Sequence, residues 1–235
     1  MSIKSLPSNS NRILSRLSAE DFALLKPHLA AVELPLRKEV ETAGRVIEHL
    51  YFPESGIISV VANGDDKRSI EVGLVGRDGM TGLAIVMGTD RTPHHSYVQM
   101  AGRGLRITAK NLRDAIRNST TLHQRFLNYA HAFLLQTGYT AMANGRSKIE
   151  ERLARWLLMA HDRVDGDAMT LTHEFLSVML GVRRPGVTHA VNLLERTGLI
   201  QADRGVITIV DREGLEESSN GAYGAPEAEF NRLFG

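Results

Sequence analysis

THEFLSVMLGVRRPGVTHAVNLLERTGLI, residues 172–200, reads as two short helices joined at a glycine. Thr172 stands at an N-cap position ahead of His173–Leu180. Gly181 suits a sharp turn, because a residue without Cβ enters the left-handed region at no steric cost. Val182 then plugs the space between the helices. Val187, Val191 and Leu194 recur at helical spacing and form the inner face of a second helix. Its opposite face presents Arg184, Thr188, His189 and Asn192. Gly198 closes that helix, and residues 200–209 read as two strands around an Asp203-Arg204-Gly205 turn. Helix, turn, helix and hairpin together predict a winged helix.

Pro185 and Gly186 are poor helix formers inside this pattern. The conflict resolves if the second helix begins there. The first turn has amides with no intrahelical partner, so proline at the first position loses no bond. Proline also disfavours α geometry in its predecessor, which predicts Arg184 as the cap. Gly186 is then expected to keep the helix tip slim for close approach to a partner.

A second helix of this type fits the DNA major groove, where its polar face meets base edges and flanking arginines hold phosphates. Net charge is +1, so a positive surface has to be local. Residues 175–194 contain no Asp or Glu but carry Arg183, Arg184 and His189. The candidate contacts to double-stranded DNA are Thr172, His173, Arg183, Arg184, Gly186, Thr188, His189 and Asn192. Helix-turn-helix units also serve in protein interaction modules, so geometry alone leaves both partners open.

Upstream, the texture is different. Ser18-Ala19-Glu20-Asp21 resembles a capping box, and Phe22, Leu25 and Leu29 continue it as a short helix. From about Val32 to Leu105, short apolar runs (50–52, 57–61, 70–75) are separated by Gly, Pro, Asn and Asp. Ile70, Val72 and Leu74 alternate with polar or small residues, and Asn63-Gly64 is a hairpin turn signal. This predicts an antiparallel β-roll or sandwich. Thr108 caps the helical region that follows. Leu122, Phe126, Ala130, Phe133, Thr137 and Ala141 stripe a helix over 121–144, about 35 Å long at the helical rise. Such length suits a dimer seam or an interdomain spine better than one small core. Asn144-Gly145 reads as a hinge before a helix with Ile149, Leu153, Trp156, Leu157, Ala160 and Val164 on one face. The Ser-, Gly- and Ala-rich stretch 218–226 predicts a mobile tail. The fold class is α+β. The expected domains are an N-terminal roll (1–120), a long central helix and hinge (121–145), a winged helix-turn-helix (146–217) and a tail (218–235).

Hydrophobic residues make up 43% of the 235, enough for a sizeable core. Cysteine is absent, which excludes disulfides, thiolate metal or iron–sulfur sites and a Cys nucleophile. No apolar run approaches a membrane span and residues 1–18 lack a secretory core, so a cytoplasmic location is expected. His94-His95 reads as a surface loop with no carboxylate partner in view. His173-Glu174 lacks the second His of a zinc-protease motif, because Ser177 stands there. Gly73, Gly76 and Gly79 lack the strand–turn–helix context of a dinucleotide site. Trp156 reads as core, and His123 and His131 as helix decoration. No catalytic constellation follows from spacing, so neither an enzyme nor a resident cofactor is expected.

The C-terminal frame, Leu171-Thr172 through Leu180-Gly181-Val182 and then Val187, Leu193-Leu194-Glu195 and Gly198-Leu199-Ile200, resembles the catabolite activator and fumarate–nitrate regulator (Crp/Fnr) family. A looser likeness rests on Leu50-Tyr51-Phe52, Ser55-Gly56 and Gly76–Gly82, so the order of parts agrees over nearly the whole chain. The resemblance implies a homodimer with a cyclic-nucleotide-binding-like jelly roll, a dimerisation helix and a roughly palindromic DNA site, often with contact to RNA polymerase. Thr172 matches a phosphate-contacting cap, and Arg184 and His189 match positions that approach bases. Pro185 falls where the catabolite activator has an acidic residue facing cytosine, and it cannot make that contact. An altered DNA code follows.

For the roll, the resemblance places an effector pocket at Gly79, Met80, Thr81, Arg91 and Thr92. Members that bind cyclic AMP hold its ribose with a Gly-Glu pair. Gly79-Met80 offers no carboxylate, so an unpartnered ribose hydroxyl would cost about 1–3 kcal/mol. Arg91-Thr92 could still clamp an anion, with Pro93 in place of a small residue. Another small molecule, or none in a constitutive DNA binder, is expected. The competing reading is a small-molecule-binding roll or enzyme whose helical half only oligomerises.

Overall fold

The computed structural model describes residues 10–63 and 69–235. A 3-10 turn at Leu14–Arg16 leads into α1 (Ala19–Leu25), whose cap Ser18 accepts from the Asp21 amide at 3.1 Å. Among the described residues, seven strands follow: β1 (Ala30–Leu34), β2 (Glu39–Glu41), β3 (His49–Pro53), β4 (Ile57–Asn63), β5 (Ser69–Val75), β6 (His95–Met100) and β7 (Gly102–Thr108). A single turn, α2 (Leu83–Val86), interrupts them. They form two antiparallel sheets, in the orders β1-β7-β3 and β2-β6-β4-β5, and enclose the expected roll. β4 and β5 pair as a hairpin, but Gly64 of its turn lies outside the described residues.

The alternation read over 70–75 is broken by a bulge. Val60 pairs with Gly73 but Val61 with Glu71, leaving Val72 unpaired. Glu71 and Leu74, three residues apart, therefore both face outward, toward the C-terminal half. A strict period of two would place them on opposite faces.

Helix α3 (Ala109–Asn118) is capped by Thr108, as expected. Helix α4 (Thr120–Arg146) is 27 residues long, about 40 Å. Its buried line is Leu122, Phe126, Tyr129, Ala132, Gln136 and Ala143, while Ala141 is exposed. The helix runs through Asn144-Gly145, so the expected hinge is displaced. The chain breaks at Ser147, where extended backbone ends the helix. Lys148 then leads into α5 (Ile149–His161), with its amide bonded to Glu151.

The winged helix-turn-helix comprises β8 (Ala168–Thr170), α6 (His173–Met179), α7 (Arg184–Arg196), β9 (Ile200–Asp203) and β10 (Val206–Ile209). Its sheet has the order β8-β10-β9, and β8 is a strand that the sequence pattern does not mark. The wing turns at Arg204 (φ 46°) and Gly205 (φ 83°), two successive left-handed residues that match the twist of a tight hairpin.

The expected mobile tail is instead folded. Asp211 caps α8 (Arg212–Ser218), Ser219 and Ala222 are buried, and α9 (Ala225–Phe234) returns to α4. Phe230 and Phe234 enter the core of the roll, the Arg125 guanidinium donates to the Leu233 carbonyl at 2.8 Å, and Glu229 pairs with His131 at 3.4 Å. Composition suggests mobility, but two aromatics spaced four apart supply an apolar face that repays ordering.

One core lies between the roll and α3, α4 and α9; a second joins α5–α8 and the wing to the outer face of β4 and β5; a third, of Leu34, Tyr51, Ile58, Val60, Val75 and Val98, joins the two sheets of the roll. Among the described residues, no helix is long and apolar enough to cross a membrane.

Candidate nucleic-acid interface and roll cavity

Helix α6 is capped by Thr172, whose hydroxyl accepts from the Phe175 amide at 3.2 Å. Gly181 turns the chain at φ +59°. A Cβ there would lie 2.9 Å from Cδ1 of Ile70, so the turn also seats against β5. Val187, Ala190, Val191 and Leu194 bury the inner face of α7, and Arg183, Arg184, Thr188, His189 and Asn192 are exposed together on its outer side. His173 Nδ1 and the Thr188 hydroxyl share a hydrogen bond at 3.0 Å that ties α6 to α7.

One local reading needs correction. The cap of α7 is Arg183, in extended backbone (ψ 149°), with Pro185 at the second helical position rather than the first. The Gly186 and Val187 amides both reach the Arg183 carbonyl, so the helix gains one residue before proline; the missing proline amide is still one of the unpaired first four. Gly186 also borders the body of the domain. Its Cβ would stand 3.2 Å from Ile149 Cδ1 and 3.9 Å from Val182, so a side chain there would have to share space with the tip of Ile149 on α5. Thr172 lines a cleft of about 600 Å³ whose other wall is Leu36, Arg37, Tyr97 and Met100 of the roll.

The helix-turn-helix docks on the roll of its own chain through a buried polar set. Glu71 is 3% exposed and accepts from the Trp156 indole at 2.7 Å and the Ser59 hydroxyl at 2.5 Å. Burial pushes its carboxyl up to about 8, against the opposing effects of those two donors and of Arg155 and Arg163. Trp156 is thus core, as expected, and also a specific donor across the junction. Arg163 pairs with Asp78 at 2.7 Å, Arg77 pairs with Asp165 at 2.8 Å, and the Gln136 amide bonds both the amide and the carbonyl of Leu74. Gly76 leaves room for Arg163, since a Cβ there would sit 2.7 Å from its side chain.

The second site is a cavity of about 590 Å³ between the roll and α4. Met80, Thr81, Arg91 and Thr92 line it, whereas Gly79 does not; Gly79 packs under the Tyr129 hydroxyl, which a Cβ at that position would strike. Arg91 is held loosely, 60% exposed with Nε 3.5 Å from Asp90. A carboxylate that the sequence pattern misses does reach the cavity: Glu41, from β2, some 40 residues away in the chain. Residue order contains no signal for it, because only sheet closure brings β2 to α2. His94 faces the same cavity, and His95, already in β6, has Nδ1 3.9 Å from Glu39. His94 thus stays in the bend before β6 while His95 opens that strand, and both have acidic neighbours, although no group of three metal-ligating side chains occurs among the described residues. His123 is more than decoration, since its Nε2 bonds the Val86 carbonyl at 2.9 Å.

Residues 151–218 match the family model of the Crp-like helix-turn-helix domain. Over more than four-fifths of its length the chain is similar in fold to solved regulators of the Crp/Fnr family. It superposes on FixK2 from Bradyrhizobium japonicum with a TM-score of 0.70 at 16% identity, covering 80% of this chain and 96% of that one. A CRP-family transcriptional regulator from Thermus thermophilus gives 0.68 at 18%, with 83% and 99% covered. The c-di-GMP-responsive global regulator CLP of Xanthomonas campestris gives 0.66 at 18%, with 82% and 99% covered. No curated protein matches the chain in sequence. In the Crp-like domain, α7 is the second helix of the motif and its polar face is open.

Proposed function

We propose that the protein is a sequence-specific DNA-binding transcription regulator that works as a homodimer in the cytoplasm, by binding and not by turnover. The observation that carries this reading is the exposed row Arg183, Arg184, Thr188, His189 and Asn192 on α7 of a Crp-like domain. A helix so placed reads base edges in the major groove, and Thr172, His173 and the first turn of α7 hold the backbone. Two copies then read a roughly palindromic site, and contact with RNA polymerase belongs to the same reading.

Dimerisation is supported by α4. Leu127, Leu134, Gly138 and Ala141 share one of its faces; Leu134 is 68% exposed, and nothing lies within 4 Å of a Cβ at Gly138 or Gly145. An apolar leucine flanked by small residues suits a closely packed second copy of α4. Leu127 and Leu134 also line the cavity of the roll, so a partner helix would close its mouth. That continuity makes the cavity the effector site of this reading.

Two measurements test it. Arg184→Ala is expected to weaken binding to the best genomic fragment by about 1–3 kcal/mol while leaving the oligomer intact. Fragment selection from sheared genomic DNA followed by titration at fixed salt would show this, and unchanged affinity would displace α7 as the reading helix. Leu134→Glu is expected to convert the dimer to a monomer in sedimentation, because partnering would bury a charge. A variant that remained dimeric would move the seam elsewhere.

A further inference from the structure

The chemistry of the roll cavity is set by Glu41. Its Oε1 accepts from the Gly82 amide at 2.6 Å and its Oε2 from the Ser96 hydroxyl at 2.6 Å. Gly82 stands in left-handed backbone (φ 76°) at the entry to α2, and its amide is directed to the Glu41 carboxyl. A phosphate oxygen in this cavity would need a donor such as this backbone amide. Here the protein's own carboxyl group already fills that place. Burial raises the Glu41 carboxyl above its ordinary value, and whatever its charge its oxygen occupies the donor that a phosphate oxygen would need.

The other groups agree. Arg91, the cation of the rim, is turned to solvent and toward Asp90. The remaining wall is mostly hydrocarbon, with Ile47, Val60, Val75, Leu83, Leu127 and Phe133 contributing side chains. Each Glu41 oxygen keeps a second lone pair after its protein bond, so each can accept one more donor.

We propose that this cavity selects an uncharged, largely apolar molecule with a hydrogen-bond donor directed at Glu41, and turns away phosphate-bearing ligands, cyclic nucleotides included. The proposal rests on the reading of the cavity as the effector site. It makes Glu41 the residue that sets ligand class. The roll then responds to a hydroxyl- or amine-bearing aromatic or aliphatic compound.

The test compares 1-naphthol with 1-naphthyl phosphate, which share an apolar body and differ in charge, by calorimetric titration of the full chain. The expected result is at least tenfold tighter binding of 1-naphthol, with the ratio narrowed at least threefold by Glu41→Gln. Equal or tighter binding of the phosphate overturns the proposal, as does failure of 1-naphthol to bind up to its solubility, or an unchanged ratio in Glu41→Gln. Two fillers locate the event: Val60→Phe in the wall and Met87→Trp at the rim, where Met87 is 62% exposed and tolerant of change. Loss of 1-naphthol binding in either filler places it in the cavity. If 1-naphthol binds both fillers as it binds the native chain, the proposal fails. If 1-naphthol binds in the cavity yet leaves DNA affinity unchanged, the effector reading fails while the ligand class stands.

Discussion

Asp78→Ala is expected to destabilise the protein by about 3–5 kcal/mol, because it leaves the Arg163 guanidinium buried without its counter-charge. The Arg163 side chain is 5% exposed, and its pair with Asp78 at 2.7 Å spans the junction between the roll and the helix-turn-helix. The same guanidinium donates to the Met159 carbonyl at 2.6 Å, which anchors one of its nitrogens. Replacing both partners, as in Asp78→Leu with Arg163→Met, is expected to recover most of the loss, since two apolar groups remove the desolvation cost together. Urea unfolding of the native chain, the single variant and the double variant checks this. A single-variant loss below about 1 kcal/mol would mean that the pair is solvated.

Glu71 makes stability depend on pH in the direction opposite to a usual acid. Burial lifts its carboxyl from 4.5 to about 8 in the folded chain. Across that window the folded state holds a proton that the unfolded state has lost, so stability falls as pH rises from about 4.5 and levels off above about 8. Each unit is worth up to about 1.4 kcal/mol, which makes the whole effect a few kcal/mol. Glu71→Gln keeps an oxygen acceptor for Trp156 and removes the titration. Its unfolding free energy, measured across the mildly acidic to mildly alkaline range, is expected to lose most of the native slope. An identical slope in the variant would assign the pH dependence to other groups.

Both predictions concern the seam between the two halves, which is the least legible part of the sequence. The helix-turn-helix is readable because its signals are local. Thr172 caps, Gly181 turns, and the Val187–Val191–Leu194 period closes within one helix. Even there the residue pattern places the cap one position late and does not show that Gly186 borders Ile149. Which side of α7 faces α5 depends on where Ile149 packs, and no local rule contains that. The roll is readable as short strands, but the bulge at Val72 reverses the expected face of Glu71. The tail departs from expectation because composition reports the tendency of a free chain, whereas Phe230 and Phe234 find a core waiting on α4.

The candidate cavity divides in the same way. Met80, Thr81, Arg91 and Thr92 lie close in sequence around α2 and can be read together. Glu41 cannot, since it arrives on a different strand through pairing of β2 with β6. Residue order thus accounts for the elements: the caps, the turns, the 27-residue helix in outline and the succession of parts. Folding in three dimensions settles which charges are buried, which carboxyl lines the cavity and how the reading head sits on the roll. The physical reason is range. Capping and periodicity act over a turn or two of chain, while desolvation of Glu71, Asp78 and Arg163 exists only after distant surfaces have met and water has left.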